Sequence, residues 1–161
     1  AIASGATVSP SGVQPEMPTV PDAITAFGAG SAYSLTTTPE AINLGTTDPA
    51  IVLTTAGDWL LWFTVRVDYN GATFAAEETA TFTLRRTNNT PANITNGSYS
   101  FQTQIITTQS HTAAMFTIGP IPYSTTNTDD ELTIFASISD IPSAGSIDVV
   151  SANIAAMYVQ K

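Results

Sequence analysis

Cysteine is absent from this chain of 161 residues, and charge is scarce. Without a thiol there is no cysteine nucleophile and no thiolate zinc site. Lysine and arginine together number 4 against 13 acidic residues, for a net charge of -9. Such a chain repels a phosphate backbone and an anionic lipid surface, so neither nucleic acid nor membrane is an expected partner. Charged residues make up 11 % of the sequence, where about 25 % is usual. Ser, Thr, Asn and Gln supply the rest of the surface, a neutral coat that suits a packed assembly because few charges need desolvating there. No apolar run approaches the ~18 residues of a membrane-spanning helix. The N-terminus lacks the basic start and apolar stretch of a secretory signal.

Catalytic constellations are missing as well. His111 is the one histidine, which excludes a multi-histidine zinc site. In Gln109-Ser110-His111-Thr112 it reads as polar loop surface, with no orienting acid to make it a base. The acidic cluster Asn127-Thr128-Asp129-Asp130-Glu131 lacks the spaced Asp-x-Asp-x-Asp-Gly ligand pattern of a calcium loop and reads as a solvated turn. Glu77-Glu78 reads as a charged loop, because adjacent carboxylates face opposite sides of an extended chain. Asn88-Asn89-Thr90, Asn93-Ile94-Thr95 and Asn96-Gly97-Ser98 match the glycosylation pattern, as chance allows in a chain this rich in Asn and Thr. No catalytic residue, metal site or cofactor is expected.

What is present is β structure. In Asp58–Gly71 the odd positions Trp59, Leu61, Phe63, Val65, Val67 and Tyr69 are large and apolar. The even positions begin apolar at Leu60 and Trp62, then turn polar at Thr64, Arg66 and Asp68. A period of two over this length predicts a strand with one dry face. Near its start the opposite face is apolar too, and Leu60 and Trp62 there need a cover, from a neighbouring subunit or from the chain itself. Further strands are expected at Ala32–Thr36, Glu40–Leu44, Ala50–Leu53, Thr79–Arg86, Tyr99–Ile105, Ala113–Ile118, Leu132–Ile138 and Val149–Val159. Asn88–Gly97 reads as a polar loop, and Gly119-Pro120 with Pro122 reads as a strand end. Thr, Val and Ile dominate and helical periodicity is lacking. The expected fold is all-β, an antiparallel jelly-roll sandwich of about 8–10 strands.

Residues 1–26 differ from this domain, which occupies 27–161. Four prolines, Pro10, Pro15, Pro18 and Pro21, forbid a helix or a central strand there. The segment reads as an extended arm. Ile2, Val8, Val13, Pro15, Pro18, Val20 and Pro21 are its candidate anchoring residues, and an arm adding contacts to a neighbour is a recurrent assembly device. Arg85-Arg86 carries half of the positive charge, either paired with an acid across a subunit contact or solvated at a strand end. Tyr33, Tyr69, Tyr99 and Tyr123 are candidates for stacking on sugar rings if the domain binds glycans.

The strand order, the glycine-led aromatic strand Gly57-Asp58-Trp59-Leu60-Leu61-Trp62-Phe63-Thr64-Val65 and the closing strand Ile154-Ala155-Ala156-Met157-Tyr158-Val159 resemble the C1q and tumour-necrosis-factor-like jelly-roll superfamily, as found in bacteriophage head-fibre and capsid decoration proteins. The likeness covers about Ile24–Lys161, and the Phe-Gly pair usual in the last strand is missing. The resemblance implies a homotrimer with Leu60, Trp62 or Tyr158 near the threefold axis. With Arg85 and Arg86 these are the candidate interface residues. It implies a non-enzymatic virion protein on the capsid or tail surface, attached through its arm to proteins such as the major capsid protein. The alternative is a carbohydrate- or receptor-binding module that meets a host surface glycan.

Overall fold

The computed structural model describes residues 23–45, 47–103 and 110–159, with residues 110–113 described as backbone only. Among the described residues nine strands follow in order: β1 (Ala23–Ser34), β2 (Glu40–Ala41), β3 (Ala50–Leu53), β4 (Gly57–Thr73), β5 (Thr79–Arg86), β6 (Ala92–Gln102), β7 (Ser110–Thr125), β8 (Asp130–Ile138) and β9 (Ala144–Val159). One sheet has the order β1-β9-β4-β7. The other has the order β2-β8-β5-β6, with β3 also paired to β8. Every pairing is antiparallel. The two sheets face each other as a jelly-roll sandwich, as the strand pattern predicts.

The core lies between them. The odd row of β4 (Trp59, Leu61, Phe63, Val65, Val67) is buried to within 1 %. Opposite it stand Ala80, Phe82 and Leu84 of β5 and Leu132, Ile134, Ala136 and Ile138 of β8, all buried. An aromatic cluster closes one side of the sandwich. Phe116 of β7 packs edge-on against Phe82 at 5.0 Å and Phe63 at 6.4 Å, and lies 4.5 Å from Tyr99 of β6. Such contacts add to the area they bury. Tyr33, Tyr69, Tyr99 and Tyr123, expected as exposed sugar platforms, are instead partly buried and packed against this core.

Four segments differ from the sequence expectation. The run 88–97 is a loop only as far as Pro91, because Ala92–Gln102 is strand. Its register slips between Thr83 and Arg85 of β5, where Ser98 and Asn93 are the partners. The Asn96-Gly97 turn signal marks that bulge, with Asn96 at φ 60. Strand β7 runs through Pro120 and Pro122 instead of ending before them. It is an edge strand, so the missing N–H groups need no partner on its outer side. His111 lies in that strand and not in a loop. The stretch Glu40–Leu44 is strand for two residues only, and Ala32–Ser34 is the end of a longer β1 that already begins at Ala23. The last four residues of the 1–26 segment therefore pair with β9. Ile2, Val8, Val13, Pro15, Pro18, Val20 and Pro21 lie outside the described residues, as does Ile105.

Phe82 tests the core directly, since it is fully buried and touches rings from the neighbouring strand β6 and from β7 of the opposite sheet. Phe82→Ala is expected to lower unfolding free energy by about 3–5 kcal/mol, read as a shifted urea midpoint with an unchanged slope. A loss within ordinary surface values, about 0.5 kcal/mol or less, would show that the two sheets do not share this core.

Candidate assembly interface

Directly paired residues of neighbouring strands share a face, so the registers map the outer surface of the β1-β9-β4-β7 sheet. Leu60 lies between Pro122 and Met157. Trp62 lies beside Ala155, which pairs in turn with Thr25. The next row is Phe27, Asn153, Thr64 and Thr117, and the one after it Ala29, Ser151, Arg66 and Met115. The two threonines join hydroxyls at 2.8 Å. Phe27 and Met115 are 58 % and 73 % exposed, and between them sits a shallow depression of about 310 Å³ floored by Thr64, Ser151 and Asn153.

Leu60 and Trp62 are each half-buried, neither bare nor wholly covered by the described chain. The local reason is a bulge. Leu61 pairs with Ile121 and Phe63 with Ile118, so Gly119 and Pro120 stand opposite Trp62. Gly119 has φ +139, and a Cβ built there would come within 2.8 Å of the Trp62 ring. Glycine lets the indole lie down on β7. The result is a surface of apolar side chains from all four strands, with Arg66 exposed at one end of it. A large apolar side chain moved fully from water to a buried contact contributes about 1.5–3 kcal/mol.

The remaining candidate interface residues do not join this face. Tyr158 pairs with Trp59 and lies on the inner side of the sheet. Its ring meets Trp59 edge-on at 5.1 Å and its hydroxyl donates to the Ala56 carbonyl at 3.4 Å. Met157 holds the outward position instead. Arg85 lies over the Phe135 ring at 4.8 Å, on the outer face of the opposite sheet. Arg86 follows the inward row of β5 and pairs within its own chain.

Arg86 leads to a feature the sequence reading missed. Asp130, expected in a solvated turn, is fully buried. Its Oδ2 accepts from Thr125 Oγ1 at 2.5 Å, Tyr123 OH at 2.6 Å and Arg86 Nη1 at 3.5 Å. Its Oδ1 accepts from Asn89 Nδ2 at 2.8 Å and Asn127 Nδ2 at 2.9 Å. Arg86 also donates Nε and Nη2 to the Thr90 carbonyl at 2.9 and 2.7 Å. Asn88 donates to the Asp129 carbonyl and accepts from the Glu131 amide. One carboxylate thus ties the ends of β5, β7 and β8 and both intervening loops, across the two sheets. Burial pushes the Asp130 carboxyl up, but the bonds from Thr125, Tyr123, Asn89 and Asn127 outweigh it and hold the group well below the usual carboxylate range. Burial and the bond to Asp130 push the Tyr123 phenol up. Among the described residues no three His, Cys, Asp or Glu side chains converge as a metal site.

No protein-family model and no curated protein matches the chain. Solved structures with a similar fold include a chain of infectious bursal disease virus Gt strain, at TM-score 0.51 and 9 % identity over 86 % of this chain and 33 % of that one. A chain of the Gx strain follows at 0.50 and 8 %, over 85 % of this chain and 32 % of that one. The globular domain of zebrafish complement 1qA protein scores 0.48 at 12 % identity, over 88 % of this chain and 98 % of that one. The chain spans about a third of the virus chains it matches. At these identities the likeness is one of fold alone, and the fold is the antiparallel jelly roll.

Asp130 supplies a test with a defined sign. Asp130→Asn is expected to cost about 3–5 kcal/mol at neutral pH, because it unpairs buried partners. The folded chain keeps Asp130 ionised to lower pH than the unfolded chain does. Its contribution is therefore complete above the ordinary value of 3.8 and falls away progressively as pH drops below it. Urea midpoints measured from neutral pH to about pH 3 should fall more steeply for the natural chain than for the Asn variant. Parallel curves would contradict the tie.

Proposed function

We propose that the chain is a non-enzymatic structural subunit of a virus particle, a bacteriophage capsid decoration or head-fibre protein. It assembles as a homotrimer through the outer face of the β1-β9-β4-β7 sheet, and the segment ahead of β1 serves as the attachment arm. The observation that carries this reading is the apolar surface on that face: Leu60 and Trp62 half-buried, with Phe27 and Met115 largely exposed. Large apolar side chains contributed by four adjacent strands to one face are what a subunit contact would bury, and such anchors dominate interface energetics. The rows of Leu60, Trp62 and Thr64 carry no charged side chain among the described residues, which lowers the desolvation cost of closing the face. The fold shared with chains of infectious bursal disease virus supports a virion setting. A jelly roll hosts many functions, so the weight rests on the face itself. Major capsid protein is the expected partner of the arm.

Light scattering after size exclusion should give about three chain masses for the natural protein, and Trp62→Glu, which places a charge in the contact, should elute at the mass of one chain with its β-sheet spectrum intact. A natural chain that stays monomeric at micromolar concentration would overturn the reading.

A further inference from the structure

We propose that the end of the sandwich around Arg86 is a binding site for a neutral saccharide. Two depressions of about 270 and 410 Å³ adjoin there and share Arg86 and Ser124 in their walls. They are of the order of a small-molecule site. The proposal does not depend on the assembly reading: the walls come from the ends of β5 and β7, the starts of β4 and β6 and the β7–β8 loop, although Pro122 also borders the apolar face.

The lining has the mixed character a sugar requires. Asn93 and Thr95 on one side, and Asp58 and Asn127 on the other, offer amide, hydroxyl and carboxylate groups to ring hydroxyls. Ile94 and Pro122 between them offer apolar surface to the C–H face of a ring. Part of this lining is held before any ligand arrives. Arg86 is fixed by Thr90, Tyr123 and Asp130, and Asn127 by Asp130. Asp58 accepts from Ser124 Oγ at 2.5 Å. Walls that need no ordering lose little on binding.

Charge selects the class of saccharide. The Arg86 guanidinium is compensated by the buried Asp130 carboxylate, and the second depression carries Asp58. The chain as a whole is at -9. Among the described residues lining the two depressions Arg86 is the one cation, and Asp130 already engages it, so the ligand is uncharged. The competing occupant is a second copy of this chain, since Pro122 and Ser124 also continue the outer face of β7.

Amide resonances of the natural chain should be followed during titration to millimolar D-glucose, D-galactose, D-mannose, N-acetyl-D-glucosamine and N-acetylneuraminate. At least one neutral sugar is expected to shift the amides of Asp58, Ala92–Thr95 and Tyr123–Asn127 in a saturable way, while N-acetylneuraminate leaves them in place. Thr95→Trp and Ser124→Trp, each filling one depression, should weaken that response by roughly ten-fold or more with the oligomeric mass unchanged. Silence of these amides toward every neutral sugar, or a response to the anionic sugar alone, would overturn the proposal. So would a change of mass in the tryptophan variants, which would assign the depressions to a neighbouring copy.

Discussion

Side chains of a strand alternate between two faces, so a strand that is apolar on both must be covered twice. β4 carries this constraint. Its inner row is covered by the opposite sheet and forms the centre of the core. Its outer row is covered only in part, by Met157 and Pro122 beside Leu60 and by the glycine bulge under Trp62. The first cover makes the domain. The second, left incomplete, gives the domain a reason to associate.

A second constraint acts at the end of the sandwich. The two sheets are joined there by Asp130 at the start of β8, whose two oxygens receive bonds from two strand ends and two loops. A buried carboxylate is costly unless every lone pair is used, and here donors surround it. The consequence reaches beyond stability. Tyr123, Thr125 and Asn127, which Asp130 holds, line the depressions around Arg86, and the same network removes Arg86 from the set of cations available to a partner subunit.

Much of the fold was legible because period-two patterning is local. β3, β4, β5 and β8 lie where their alternation places them, and the inner row of β4 was readable residue by residue. The misses share a physical cause, which is that the deciding partner lies far along the chain. Pro122 is tolerated because β7 is an edge, a fact of sheet order. Asn96-Gly97 signals a reversal, yet it serves as a bulge because β5 supplies a partner on both sides of it. Tyr158 turns to the inner face because register with β4 sets its phase, and a slip of one residue flips every side chain. Asp130 looked solvated because Arg86 and Asn89, two of its donors, lie some forty residues away in sequence.

The absence of cysteine makes the outer face open to a direct measurement. Thr64→Cys places a single thiol in the middle of that face, and Thr83→Cys places one at comparable exposure on the outer face of the opposite sheet. Rates of reaction with a bulky maleimide report which thiol is shielded in solution. The account predicts slow labelling at position 64 that becomes fast on dilution, with fast labelling at position 83 throughout. Equal, concentration-independent rates at the two positions would contradict it.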